Sequence, residues 1–353
     1  MFAGRSIDVP VNPQLQSKFF AAPAEIRFAI YAYLIPRRIH LSFKKGFRPL
    51  PCVQRDEDGD ANCLVRKTNN DCFTTKPCVS DPIFLRRLRS SWGSHWRCEE
   101  QHPWQFDNLA MPLFRVCKRT LNDFVEAMVD IAAIQIDDVD TLGFFIPNPI
   151  SDILESDRPS MSMLWRSALL NVKVLSISLR LPLAVFKALE DTGTPTVEPS
   201  FTSVWMKLAL AIERFRKLRT LHVWLDHDEP CSWSMANERA VLSPLANLNA
   251  NLEVSIELPK LHPKWEIPDR HFTEDSAQFP LTIRRIYRQR YHVTEHSDGS
   301  VSIDHKPDFP ITYELTGWDV TIEELEASET RAWKRGEHPF QDLLDLEPTG
   351  HPW

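Results

Sequence analysis

The pentad His292-Val293-Thr294-Glu295-His296 carries two imidazoles and a carboxylate in the HxxEH order of one class of zinc protease. That chemistry needs a helix, which brings residues four apart side by side. Here the β-branched pair Val293-Thr294 runs into a turn sequence, so a strand is expected, and on a strand residues four apart lie roughly 13 Å from each other. One zinc, with ligand distances of about 2 Å, does not bridge that gap. Cys52, Cys63, Cys72, Cys78 and Cys98, with His95 and His102, offer the donors of a zinc site. Their intervals of 10, 8, 5 and 19 residues contain no CxxC, whereas structural zinc usually takes two ligands close in sequence. Asp137, Asp138 and Asp140 lack the central glycine and remaining ligands of a calcium loop, and helix capping accounts for them. Asp226-His227-Asp228-Glu229 follows an apolar strand pattern, where open α/β sheets place sites and where any chain must also turn in solvent. Arg284 to Tyr291 mixes cations with aromatics as single-strand nucleic-acid binders do, and a strand with one charged face explains it equally.

Glycine narrows the chemistry further. The ten glycines come no closer than Gly46 and Gly59, so the phosphate loop, the dinucleotide fingerprint and the GxSxG elbow are all excluded. Lys plus Arg is 41 against 48 Asp plus Glu, a net charge of −7, which argues against nucleic acid or an anionic membrane as a partner of the whole surface. No spaced nucleophile, base and oxyanion set emerges, so no catalytic residue, cofactor or metal is expected. Apolar residues make up 43% of the chain, enough for a substantial core. The opening MFAGRSIDVPVNPQ has no apolar signal region, no stretch reaches a membrane span, and the cysteines read as reduced thiols. An intracellular protein of cytoplasm or nucleus is expected.

The positioning elements begin at Pro23. Pro23 suits a first helical position and Glu25 the first turn, and Ile26, Ala29, Ile30, Tyr33 and Leu34 trace an apolar face at helical spacing before Pro36 ends the run. A strand is expected at 38–43. A helix over about 113–130 has Leu113, Val116, Cys117, Leu121, Phe124, Val125 and Met128 on one face. A strand near 133–136 leads to a short helix capped by Asp137. Three alternating runs follow: Val172 to Leu179, Leu218 to Leu225, and Leu252 to Leu258. The last two come after helical segments, Ser203–Lys217 and Glu238–Asn249. Strand, helix and strand in alternation imply parallel pairing with right-handed crossovers. The runs also have the LxxLxLxL texture of leucine-rich repeats, at irregular and longer intervals. Further on, Ser297-Asp298-Gly299-Ser300 predicts a hairpin between Ile286–Thr294 and Val301–His305. A strand is expected at 311–315, and Thr321 to Glu324 forms a capping box that opens a helix ending near Gly336.

PAEIRFAIYAYL, FRVCKRT and IDDVDTLGFF together resemble a fungal family of F-box-like proteins of unknown function, opened by an LPxEIRxxIYxYL line. VCKRT, Val116 to Thr120, is similar to the segment after the first helix of F-boxes. RRIYRQRYHV and KPDFPITYEL extend the likeness over most of 18–340. Ala22 stands where the family line has Leu, and roughly 80 residues separate two segments that lie close together in an F-box. The resemblance implies a non-enzymatic interaction protein, an F-box-like substrate adaptor of a cullin-type ubiquitin ligase. Its partners would be the Skp-type adaptor, bound through Pro23, Glu25, Ile26, Ile30, Leu34, Val116 and Cys117, and a protein target. The alternatives are a scaffold that keeps these lines only as core and, more remotely, a zinc-binding or hydrolytic protein.

The expected fold is thus mixed, α+β with α/β. A flexible tail covers 1–18. An F-box-like helical module uses 19–46 and 111–146, around a partly ordered insertion at 47–110. An α/β or leucine-rich-repeat-like sheet layer covers 147–260, a C-terminal hairpin and helix 261–340, and a tail 341–353.

Overall fold

The computed structural model describes residues 16–42, 48–52, 117–146, 168–190, 199–227, 232–246, 248, 251–273, 281–286, 291–295, 297, 301–305 and 322–336. Helices α1 (Lys18–Ala21) and α2 (Ala24–Leu34) lead into β1 (Arg38–Ser42) and β2 (Arg48–Pro51). Then come α3 (Lys118–Ile131), β3 (Ala133–Ile136), α4 (Val139–Phe144) and β4 (Val174–Leu181). Helices α5 (Leu183–Glu190), α6 (Pro199–Met206) and α7 (Leu208–Ile212) precede β5 (Thr220–His227), and α8 (Glu238–Leu242) precedes β6 (Glu253–Pro259). After β7 (Thr282–Ile286) come β8 (Tyr291–Glu295), β9 (Val301–His305) and α9 (Ile322–Arg335).

Strands β1 to β7 form one sheet in the order β2-β1-β3-β4-β5-β6-β7. β2 is antiparallel to β1, and the six strands from β1 to β7 without β2 run parallel. Each parallel strand lies beside the previous one in sequence, so right-handed crossovers put the connecting helices on one face. The alternation of the strands matches this. Leu175, Ile177 and Leu179, Leu221, Val223 and Leu225, and Val254, Ile256 and Leu258 are buried in the same core as Phe124, Phe186, Trp205, Leu208 and Leu245 from the helical side. The intervening positions are polar apart from Trp224. One row across the sheet reads His40, Gln135, Ser176, His222, Ser255, Thr282. On β4 to β7 this polar face is at least partly exposed at Ser176, Ser178, His222, Trp224, Ser255 and Arg284. At the β1 and β3 end His40 and Gln135 are buried.

The unit of construction is a helix followed by a strand. α2 enters β1 as α3 enters β3, and the turns before adjacent strands bond to one another. Ala133 N–H donates to Arg37 O (2.8 Å), Arg219 N–H to Lys173 O (2.9 Å) and Glu253 N–H to Arg219 O (2.9 Å). The ranges 19–46 and 111–146 therefore supply β1 and β3 as well as helices, and they share one core with the layer that follows.

Several boundaries differ from the sequence reading. The helix placed at 113–130 begins at Lys118, because Cys117 caps it in extended conformation. Asp138, not Asp137, caps α4, its carboxylate accepting the Thr141 N–H at 2.8 Å, while Asp137 bonds to His40 and Gln135. Ser203–Lys217 is two short helices broken at Lys207. Glu238–Asn249 tightens into a 3-10 turn, Ser243–Leu245, at Pro244, since proline has no N–H to continue the ladder. Ile286 closes β7 against β6, and the hairpin strand starts separately at Tyr291, paired with His305. The strand expected at 311–315 lies outside the described residues, as does the insertion apart from residues 48–52.

Candidate functional site

Of the expected partner-binding residues on α2, Glu25, Ile26 and Ile30 face outward, whereas Leu34 is half-buried against the core. Pro23 and Glu25 are exposed, and Ile26, Ile30 and Tyr33 are 52%, 42% and 91% exposed. Ile26, Ile30 and Tyr33 belong to the apolar face that helical spacing traces, together with Leu34 and with Ala29, which is exposed. The inward side is instead Arg27, Phe28, Tyr31, Leu34 and Ile35. The helix is apolar nearly all round, so two stripes satisfy the same period, and a polar residue decides between them. Arg27 turns inward because Asp123 of α3 meets it, Nε to carboxylate at 3.0 Å, while its other end donates to Ala22 O at 2.8 Å. Tyr31 then stands edge-on to Phe124 of α3 and to Phe19 of α1, each at 5.7 Å. Two segments nearly a hundred positions apart in sequence are thus packed together.

Tyr31 is fully buried, and its hydroxyl has no hydrogen-bond partner. Burial, aided by the Asp123 carboxylate, pushes its phenol up to about 12. At the start of α3 the Cys117 sulfur accepts the Thr120 N–H at 3.5 Å and shares a hydrogen bond with its hydroxyl at 3.2 Å. Burial pushes this thiol up, but the Thr120 and backbone hydrogen bonds and the Arg119 charge outweigh it, and the thiol ends below its usual range. Arg119 itself lies over the Phe20 ring at 4.5 Å. Val116 falls outside the described residues.

The other chemical candidates are dispersed or engaged. His292 to Glu295 lie on β8, and His296 lies outside the described residues. Cys52 is half-buried, and Cys63, Cys72, Cys78, Cys98, His95 and His102 lie outside the described residues. Among the described residues no cluster of three or more His, Cys, Asp or Glu has a metal-binding arrangement. Arg284 pairs with Glu257 at 3.1 Å, whereas Arg285 turns inward. Asp226 and His227 are buried at the end of β5.

That end of the sheet holds a polar cluster that sequence reasoning missed. His227 stacks on Trp233, whose indole N–H donates to Glu238 at 2.9 Å. Glu238, fully buried, also accepts from Phe272 N–H at 2.8 Å and from both terminal nitrogens of Arg285. His271 donates to Ser234 O at 3.1 Å and accepts from Ile267 N–H at 2.9 Å. Arg270 grips Glu190 with two nitrogens. Among the described residues, the carboxylates of Asp226, Glu190 and Glu238 are taken up by donors within the fold, and the cluster fastens the loops after β5 and β6. A groove of about 570 Å³ borders α3, floored by Phe28, Val125, Val129 and Ala168 and rimmed by Glu126, Asp130 and Lys217. Its described lining includes no thiol, hydroxyl or imidazole.

Comparison with known proteins found no matching family model, no matching curated protein and no matching solved structure. Among the described residues no helix is long and apolar enough to cross a membrane.

Proposed function

We propose that the chain is a non-enzymatic interaction protein that docks a Skp-type adaptor on α2 and holds a protein target on the remainder of its α/β layer, as an F-box-like ligase adaptor does. The observation that carries this reading is the apolar stripe Ile26, Ile30 and Tyr33, left in solvent on a helix whose opposite side is tightly seated. α2 is the helix before β1, and among the described residues no further helix covers its outer side. In stacked helix-strand architectures a terminal face is normally polar, and an exposed apolar helix stripe at i, i+4, i+7 is the pattern a helix-recognising partner reads. Pro23 and Glu25 border the same side. The resemblance of PAEIRFAIYAYL to the F-box opening line supplies the identity of the partner.

The test is co-purification of the full-length protein with the Skp-type adaptor. Ile26→Asp with Ile30→Asp should abolish capture with the melting temperature nearly unchanged, because both side chains are exposed and surface substitutions usually stay within about 0.5 kcal/mol. Failure of the wild-type protein to capture the adaptor removes the ligase reading and leaves that of a scaffold. Stoichiometric zinc in the purified protein would instead favour the zinc-binding alternative.

A further inference from the structure

The groove beside α3 has a rim of unlike charges: Glu126 and Asp130 from α3, and Lys217 from the turn before β5. In that turn Arg214, Arg216, Lys217 and Arg219 place four cations in six positions of a chain whose net charge is −7. Arg216, Lys217 and Arg219 are exposed, and among the described residues none of the three pairs with a carboxylate. The turn is fixed in place. Arg216 N–H donates to Leu170 O and Arg219 N–H to Lys173 O, each at 2.9 Å, which sets it one strand spacing, about 4.8 Å, from the turn before β4. The alternation that buries Leu175 and Leu221 beneath the helices puts Lys173 and Arg219, two positions earlier, on that same side of the sheet. There Lys173 Nζ meets Asp130 at 2.5 Å, cancelling one of the two rim carboxylates. Glu253 stands on the opposite side, where Thr220 Oγ1 donates to it at 3.4 Å. An apolar trough floored by Phe28, Val125, Val129 and Ala168 thus borders a cationic edge with charge left over.

We propose that this groove and edge dock an extended acidic segment of a protein partner, its apolar side chain seated on the floor and its carboxylates on Arg216, Lys217 and Arg219. A guanidinium takes a carboxylate with two parallel hydrogen bonds, and burial on an apolar floor adds affinity that salt does not screen. Nucleic acid fits this surface less well. Its backbone brings a charge at every step and no aliphatic side chain, and it would have to pass Glu126, which is exposed. The site deepens the interaction reading above, and rests on it, by naming the chemistry of the target.

The test uses the full-length protein and a fluorescein-labelled synthetic peptide that carries a run of glutamates beside Leu-Phe, followed by anisotropy. This peptide should bind at least about tenfold more tightly than its counterpart with glutamines for glutamates, and at least about threefold more tightly than one with Ser-Ser for Leu-Phe. Arg216→Glu with Arg219→Glu should lower the affinity at least about tenfold. Both side chains are exposed, so the melting temperature should stay nearly unchanged. Arg216→Lys with Arg219→Lys should retain most of the binding. Ala168→Phe, which fills the floor, should cancel the advantage of Leu-Phe and spare the preference for glutamate. Equal binding of the glutamate and glutamine peptides, or indifference to the charge reversal, would overturn the site. Tighter binding of a labelled oligothymidylate would overturn it too and assign the edge to nucleic acid. Ile26→Asp with Ile30→Asp should leave the peptide bound. Adaptor capture without peptide binding would therefore remove this site alone, and peptide binding without adaptor capture would keep it and remove the ligase role.

Discussion

Both ring nitrogens of His271 are committed in one tautomer, Nδ1 accepting from Ile267 N–H and Nε2 donating to Ser234 O. A proton on Nδ1 would set two N–H groups against each other. Burial, the dominant influence, lowers the pKa of this imidazole although Glu238 pulls the other way. The sign follows from proton uptake. Above the usual value of about 6.5 the ring is neutral in both states and adds no slope; below it the unfolded chain binds a proton that the native ring resists, so stability falls as pH drops. Urea midpoints at pH 7.5, 6.5 and 5.5 should decline for the wild type. His271→Gln should start lower and decline less. Tyr31 behaves oppositely. Its raised phenol makes the native state lose stability as pH climbs from about 10 towards 12. Tyr31→Phe should remove that alkaline loss, and because the hydroxyl it deletes is buried and unpaired, it should raise stability at pH 7 by about 1 kcal/mol.

Strands were legible in the sequence because one-sided burial writes a period of two. Leu175-Ile177-Leu179 and its two counterparts gave both the parallel layer and its buried face, within two residues of the observed ends. The seated side of α2 was not legible, because its choice rests on Asp123, supplied by a partner helix 96 positions away. Nor was the Glu238–Arg285 pair, 47 positions apart, since local pattern carries no information about which charges a fold will bury together. Glu238→Gln leaves Arg285 without its counter-charge and should cost about 3 kcal/mol or more, read from chemical denaturation. The end of α9 was legible for a backbone reason. Gly336 takes φ +65° there, and a Cβ at that position would stand 2.6 Å from His262 Cε1 and 2.9 Å from Lys264 Cδ. Gly336→Ala should therefore loosen α9 from the turn Pro263–Trp265, where His262 meets Trp333 edge-on at 4.9 Å. Hydrogen exchange of 322–336 should accelerate by about tenfold, on the order of 1 kcal/mol of lost local protection.

At the scale of the whole molecule, the core beneath the helices and the outer side of α2 are expected to answer to different measurements. Ile177→Ala or Val223→Ala, beneath the helices, should each cost about 1–4 kcal/mol, whereas the aspartates at Ile26 and Ile30 should alter capture and not the melting temperature. The sequential strand order has another effect. From β3 onward each strand docks on a neighbour made a few dozen residues earlier, so that part of the sheet can zip up as the polypeptide is synthesised. The β1–β3 seam differs: Ile39 must find Ile134 across the widest sequence separation between paired parallel strands of the sheet. Since contacts distant along the chain slow folding, this join should be the last to close, leaving the Tyr31 side of the molecule the slowest to mature after translation.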